Sequence, residues 1–238
     1  MAGHSQFKNI MHRKSAQDTK RAKIFTKIIR ELTVAARTGS EPEHNARLRA
    51  AINIAHEANV PKQKIHHAIK RGSNNIKTTF YEEIRYEGYA PGGIAIIVEA
   101  LTDNRNRTTA EIRFAFNKHN GNMTETKNVI FLFERYGIIT YKINLKNNEQ
   151  IFEKALEAGA KDISSDNKMH KISCTPSELH KVSKNLEETL GKPQSSYLEW
   201  QPIKKVRLQL NQEKNLLSLL NMLKNNIDVQ SVTSNLHV

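Results

Sequence analysis

The chain has 238 residues, with 37 Lys and Arg against 24 Asp and Glu, a formal net charge of +13. Hydrophobic residues make up 38 % and charged residues 26 %, lean in apolar content but periodic enough to exclude a disordered chain. The longest apolar runs, Ile94 to Val98 and Val129 to Phe133, are five residues each; a membrane-spanning helix needs about 20, and Met-Ala-Gly-His-Ser-Gln lacks the apolar segment of a secretory leader.

Residues 1–15 are poor in apolar side chains and rich in cations (Lys8, His12, Arg13, Lys14), which predicts a flexible arm. From Ser15 to Arg37 the pattern is helical: Phe25, Ile28, Ile29, Leu32, Ala35 and Ala36 recur at the spacing of one buried face. At 100° per residue, Lys20, Lys23, Lys27 and Arg30 fall on the opposite side, a basic stripe expected to face solvent. Thr38 to Pro42 ends this helix in a loop. A second helix is predicted from His44 to Asn59, with Leu48, Ala51, Ile52 and Ala55 inward, and Arg47 and Arg49 free to pair with Glu31 or Glu57. Pro61 suits the first turn of a third helix, with Ile65, Ala68 and Ile69 inward, Lys62, Lys64, Lys70 and Arg71 outward, and Gly72 as its C-terminal stop. Gly72 to Asn75 reads as a linker.

Beyond it the period switches to alternation. Glu82 to Glu87 and Ile94 to Leu101 predict a hairpin joined by Ala90-Pro91-Gly92-Gly93. A helix follows, with Thr108 and Glu111 spaced as a capping box and Ile112, Ala115 and Phe116 inward. The remaining pattern predicts strands at 129–133, 137–143, 162–165, 169–174, 197–202, 205–210 and 228–234, with helices at 149–158, 177–190 and 212–225. The whole is a multidomain α+β chain with short connections.

The charge is lopsided. Residues 1–77 hold 16 Lys and Arg against 5 Asp and Glu, a net +11, whereas residues 78–238 carry +2. Six of the ten histidines also lie in the first third. A polyanionic partner for that third follows from such asymmetry. The candidate nucleic-acid contacts are Lys8, Arg13, Lys14, Lys20, Arg21, Lys23, Lys27 and Arg30, then Lys62, Lys64, Lys70 and Arg71.

Catalytic and cofactor patterns are missing from the sequence. Gly92-Gly93 has no following Gly-Lys-Ser. No histidine pair has the helical spacing of a metal site. Cys174 is the sole cysteine, so internal disulfides and zinc-thiolate clusters are excluded and a reducing, cytoplasmic setting is expected. Asp103 to Thr108 is either a helix-capping loop or, through Arg105 and Arg107, a phosphate holder at a helix N-terminus. Arg135-Tyr136-Gly137 falls short of the aromatic signature of an RNA-recognition sheet. The expectation is a non-enzymatic protein without metal, cofactor or small-molecule substrate, and without membrane attachment.

Several segments resemble the YebC/PmpR family: Met1-Ala2-Gly3-His4-Ser5, His12-Arg13-Lys14, Lys20-Arg21-Ala22-Lys23-Ile24-Phe25, Arg47-Leu48-Arg49, Ala68-Ile69-Lys70-Arg71-Gly72, and above all Tyr81 to Gly93 and Glu99 to Thr108. Phe7 stands where that family usually has Trp, and Met11 where a basic residue is common. The resemblance implies an N-terminal basic three-helix domain followed by two α+β domains, the third inserted in the second. The implied boundaries are 1–75, 78–134 together with 203–238, and 135–202. It implies a DNA-binding transcriptional regulator or, alternatively, a ribosome-associated translation factor that binds ribosomal RNA and relieves stalling at proline-rich stretches.

Overall fold

A computed structural model of the chain describes residues 3–74, 80–143, 148–208 and 210–237. The first helix, α1, runs from Gly3 to Ala35 without a break. The arm expected over residues 1–15 is thus helical from Gly3 on, a continuation that needs no apolar stripe of its own because the propagating turns add one hydrogen bond per residue. The helix is 33 residues long, about 50 Å at 1.5 Å per residue. It ends in a short 3-10 turn, Ala36–Thr38. Two shorter helices, α2 (Ala46–Glu57) and α3 (Lys62–Ser73), close a bundle against its second half. Ile28, Leu32, Ala35, Ala36, Leu48, Ala51, Ala55, Val60, Ile65 and Ala68 make the core. Each fully buried leucine, Leu32 and Leu48, contributes roughly 1.5–3 kcal/mol.

Asn45 joins two helix ends in this bundle. Its Oδ1 accepts the Leu48 N–H at 3.0 Å, capping α2, while its Nδ2 donates to the carbonyls of Ala35 and Gly39, both at 2.7 Å. Gly72 does not stop α3 as its sequence position suggests. It is buried inside the helix, where an added Cβ would lie 2.2 Å from the Thr33 carbonyl oxygen and 2.8 Å from the Ala36 Cβ. The residue permits the close approach of α3 to α1, a packing role that the local sequence does not distinguish from a cap.

The second domain is built on a four-stranded sheet of order β3-β1-β2-β8, from β1 (Glu82–Ala90), β2 (Ile94–Thr102), β3 (Asn122–Thr124) and the last strand, β8 (Val229–Ser234). Helices α4 (Arg105–Lys118) and α7 (Leu210–Asn225) cover one face through Ile112, Ala115, Phe116, Leu216, Leu219 and Leu223. Asn104, not Thr108, caps α4, its Oδ1 accepting the Arg107 N–H at 3.0 Å. Thr108 is buried instead, with its hydroxyl on Asp228 at 2.6 Å.

The third domain lies between β3 and α7 in the chain. It comprises β4 (Phe133–Lys142), α5 (Asn148–Ala158), β5 (Asp162–Ser165), β6 (Met169–Cys174), α6 (Leu179–Leu190) and β7 (Ser195–Pro202). The strands form an antiparallel sheet of order β5-β6-β4-β7, the βαββαβ connectivity of ferredoxin-like folds. The fold is therefore a helical N-terminal domain followed by two α+β domains.

Two predicted strands are not strands. Residues 130–132 form a 3-10 turn because the buried Glu87 carboxylate accepts the backbone N–H groups of Lys127, Val129 and Ile130 at 2.8–3.1 Å. That claims donors a ladder would need. In the 205–208 region a single parallel bridge, Val206 to Leu236, replaces the expected strand.

Candidate nucleic-acid interface

The helix α1 has two working faces. Phe25, Ile28, Ile29 and Leu32 enter the bundle. Of the opposite stripe, expected to face solvent, Lys20 does so, whereas Lys23, Lys27 and Arg30 meet the second domain. Lys23 Nζ donates to the Asn225 carbonyl at 3.4 Å and Lys27 Nζ to the Lys224 carbonyl at 2.8 Å. These are carbonyls of the last turn of α7, which lack helical partners and carry the negative end of its dipole. Arg30 goes deeper. Its guanidinium pairs with Asp228 and also donates to the carbonyls of Leu101 and Ile227, both at 3.3 Å. Further along, Arg37 donates to the Tyr81 carbonyl at 3.2 Å. Burial, with Lys23 and Arg30 nearby, lowers the Lys27 pKa below its ordinary value.

Asp228 collects the junction. Its carboxylate also accepts from Arg107 at 2.7 Å and Thr102 at 3.2 Å, besides Thr108. Burial alone would raise its pKa, but these donors and Arg30 hold it below the usual carboxylate range. Arg107 also pairs with Asp103 at 2.8 Å, and Arg105 with Glu82 at 3.2 Å. Carboxylates thus neutralise both arginines of this loop, which favours the helix-capping alternative over the phosphate holder. Arg47 reaches Glu31 at 2.6 Å, one of the two partners open to it, and also Glu83 at 2.5 Å at the start of β1. Arg49 holds the preceding loop through the Pro42 carbonyl at 2.7 Å.

A different set of cations faces outward. Residues 17–24 are all exposed, Lys20 and Arg21 among them, as are Lys62, Lys64, Lys70 and Arg71. None of these six cations pairs with a carboxylate among the described residues. Phe25 brings two of them together: the Arg21 guanidinium lies 5.2 Å and the Lys64 ammonium 5.9 Å from its ring centre. On α3, Lys64, His67 and Arg71 are spaced three and four residues apart, so they share one flank. The result is a cationic rim along the α1–α3 edge. The side chains of Lys8, Arg13 and Lys14 lie outside the described residues; their backbone belongs to α1.

Nothing in this rim resembles a catalytic constellation. Among the described residues no group of three potential metal-ligating side chains occurs, and no helix is long and apolar enough to cross a membrane. Burial, with Glu178 nearby, pushes the Cys174 thiol up to about 11, away from nucleophilic reactivity.

Sequence reasoning missed the joint between the second and third domains. The guanidiniums of Arg85 and Arg135 both lie over the ring of Trp200 in β7, at 5.7 and 5.5 Å, and the Trp200 indole N–H donates to Glu99 at 3.0 Å. A single tryptophan in a short strand carries no local signal of such a role.

Fold and rim together define a three-domain α+β protein whose helical domain presents unneutralised cations. Residues 5–75 match the TACO1/YebC protein N-terminal domain, and residues 81–236 match the TACO1/YebC second and third domain. The chain belongs to the TACO1/YebC family. A probable transcriptional regulatory protein of Rickettsia akari is 51 % identical over 241 residues, covering 99 % of this chain and 94 % of that protein. One from Rickettsia typhi is 48 % identical over 238 residues, with the same coverage of 99 % and 94 %. The crystal structure of the conserved hypothetical protein Aq1575 from Aquifex aeolicus superposes with a TM-score of 0.83 at 42 % identity, covering 92 % of this chain and 91 % of that one.

Proposed function

We propose that this protein is a non-enzymatic regulator of gene expression that grips nucleic acid by its phosphates, as a DNA-binding transcriptional regulator. The observation that carries the reading is the exposed rim of Lys20, Arg21, Lys62, Lys64, Lys70 and Arg71, left without carboxylate partners while Arg30, Arg47, Arg105 and Arg107 are neutralised internally. Relatives named probable transcriptional regulatory proteins support it. The first half of α1 adds Lys8, Arg13 and Lys14 in its sequence.

Titration of the purified chain with a 20-bp duplex across salt tests the reading. Six phosphate contacts predict roughly a 10³-fold loss of affinity between 50 and 200 mM salt. Binding that ignores salt, or no binding at 50 mM, overturns it.

A second reading is a ribosome-associated translation factor that binds ribosomal RNA and relieves stalling at proline-rich stretches. The βαββαβ third domain favours it, because such sheets suit single-stranded RNA. So does the exposed surface of α3, dominated by Lys, His and Arg, which grips backbones better than it reads base edges. Crosslinking in cells followed by sequencing separates the two: promoter peaks support DNA, ribosomal RNA enrichment the second reading.

A further inference from the structure

In the third domain, α5 and α6 cover only one face of the sheet. Ile139, Tyr141, Ile172 and Cys174 point to that side and meet Ile151, Ala155, Val182 and Leu186. Strand alternation turns Tyr136, Ile138 and Thr140 of β4 the other way, together with Lys171 of β6 and Tyr197 and Glu199 of β7. The register sets Ile138 opposite Tyr197 and Tyr136 opposite Glu199. Tyr136 and Tyr197 are therefore diagonal neighbours, about 7–8 Å apart.

Both rings are half-buried, while Ile138 between them is fully buried. The Lys171–Glu199 ion pair, at 2.5 Å, crosses β4 diagonally, from opposite Thr140 to opposite Tyr136. The Tyr136 hydroxyl is held by Glu134, and the Lys161 ammonium sits 5.2 Å from the Tyr136 ring centre. Lys142 continues the same face of β4 and is exposed. At the far edge, Thr140 and Ser195 hydroxyls meet at 2.6 Å. The face thus offers two half-buried aromatic rings, with Lys142 and Lys161 free of carboxylate partners among the described residues.

We propose that this face binds single-stranded RNA, with successive bases stacked on Tyr136 and Tyr197 and phosphates met by Lys142 and Lys161. A four-stranded sheet of this connectivity, with aromatic rings on the face its two helices leave, takes unpaired bases, whose π-faces are hidden within a duplex. The two lysines complement the phosphates beside the stacked bases. Helix α2 runs beside β7, so a strand leaving Tyr197 passes toward the cationic helical domain. The proposal deepens the RNA reading above and rests on it.

The test is fluorescence anisotropy of the full chain with labelled r(U)12 at 50 mM salt, alongside a 20-bp duplex. The Y136A/Y197A variant is expected to lose at least tenfold in affinity for r(U)12, roughly the effect of removing two stacking rings, with duplex binding unchanged. The Y136F/Y197F variant keeps r(U)12 affinity within about twofold, since phenylalanine stacks equally well. R21E/K64E weakens the duplex instead, so failure of the rim and failure of the sheet are separately visible. Unchanged affinity in the alanine variant, an equal loss in the phenylalanine variant, or tighter binding of d(T)12 overturns the proposal. Should the alanine variant unfold, photo-crosslinking of the unmodified chain to a 4-thiouridine dodecamer decides. Adducts on the Tyr136 or Tyr197 peptides support the platform, and adducts confined to other peptides overturn it.

Discussion

Arg30 of α1 and Asp228, just ahead of β8, meet as an ion pair with side chains only 10 % and 0 % exposed, although 198 residues separate them in the chain. The pair fixes the helical domain on the second domain. Removing one partner strands a buried charge, which costs about 3–5 kcal/mol. Asp228→Ala is expected to fall at the upper end, because it also strips a partner from Thr102 and Thr108. Arg30→Ala leaves Asp228 with Arg107 and is expected to cost less. Urea denaturation read by circular dichroism measures both; equal, sub-kilocalorie effects would sink the account.

How far the sequence reveals this arrangement depends on the range of the interactions. Helices α2, α3, α5 and α6 and strands β5 and β6 follow from periods of about 3.6 and 2 acting over a few residues. The switch of period after the bundle marks where α+β structure begins, while its division into two sheets is implied only by the family resemblance. What local pattern cannot carry is which of two polar surfaces is wet. Lys20, Lys23, Lys27 and Arg30 make one stripe on the helical wheel, yet Lys20 is exposed while Arg30 is buried. The difference is set by Asp228 and the end of α7, some 200 residues away. Segment 129–133 is misread for a similar reason, since Glu87 lies about 40 residues upstream. Of the candidate site, Lys62, Lys64, Lys70 and Arg71 are exposed as their helical positions suggest, and Arg21 is exposed too. The pairing of Arg21 and Lys64 over Phe25 needs the bundle.

The carboxylates predict acid sensitivity. Burial would raise the Glu87 pKa, but three backbone N–H donors and Arg85 hold it below its ordinary value, as the donors around Asp228 do there. A group with a depressed folded pKa contributes stability above its unfolded pKa, about 4 for these residues. That contribution disappears as pH falls through the folded value. The urea midpoint is expected to stay flat from about pH 7 to 5 and to drop below about pH 4. Glu87→Gln presents an amide to donors that need an acceptor, so it is less stable than the parent at pH 7, and the gap narrows at pH 3. A gap independent of pH would contradict the assigned role.

Two glycines separate packing from backbone conformation. Gly72→Ala gains about 1 kcal/mol of helix propensity, but its Cβ would lie 2.2 Å from the Thr33 carbonyl oxygen. Pushing α3 off α1 costs more, and a net loss of about 1–3 kcal/mol is expected. Gly93 has nothing within 4 Å of its Cβ position but a φ of +73°. Gly93→Ala is therefore expected to cost about 1–2 kcal/mol from the left-handed backbone alone. Thermal melts of the two variants, with Gly72→Ser as a second probe of the clash, check the ranking; a stabilised Gly72→Ala would refute the close-approach reading.

Charge reversal divides α1 into a docking half and a binding half. Lys27 is half-buried and donates to α7, so Lys27→Glu sets a carboxylate against carbonyl oxygens at a helix C-terminus. Lower thermal stability by about 1–2 kcal/mol is expected from the lost hydrogen bond and the reversed dipole interaction. Arg21 and Lys64 are exposed, sit over the Phe25 ring and form no salt bridge among the described residues. Arg21→Glu and Lys64→Glu are expected to leave the melting temperature nearly unchanged. Each removes about one phosphate contact, flattening the slope of log affinity against log salt by roughly 0.9 on duplex DNA. Isothermal titration at four salt concentrations, paired with thermal melts, reads both quantities. If Lys27→Glu alters the slope without altering stability, or if Arg21→Glu does the reverse, the two halves have been assigned the wrong way round.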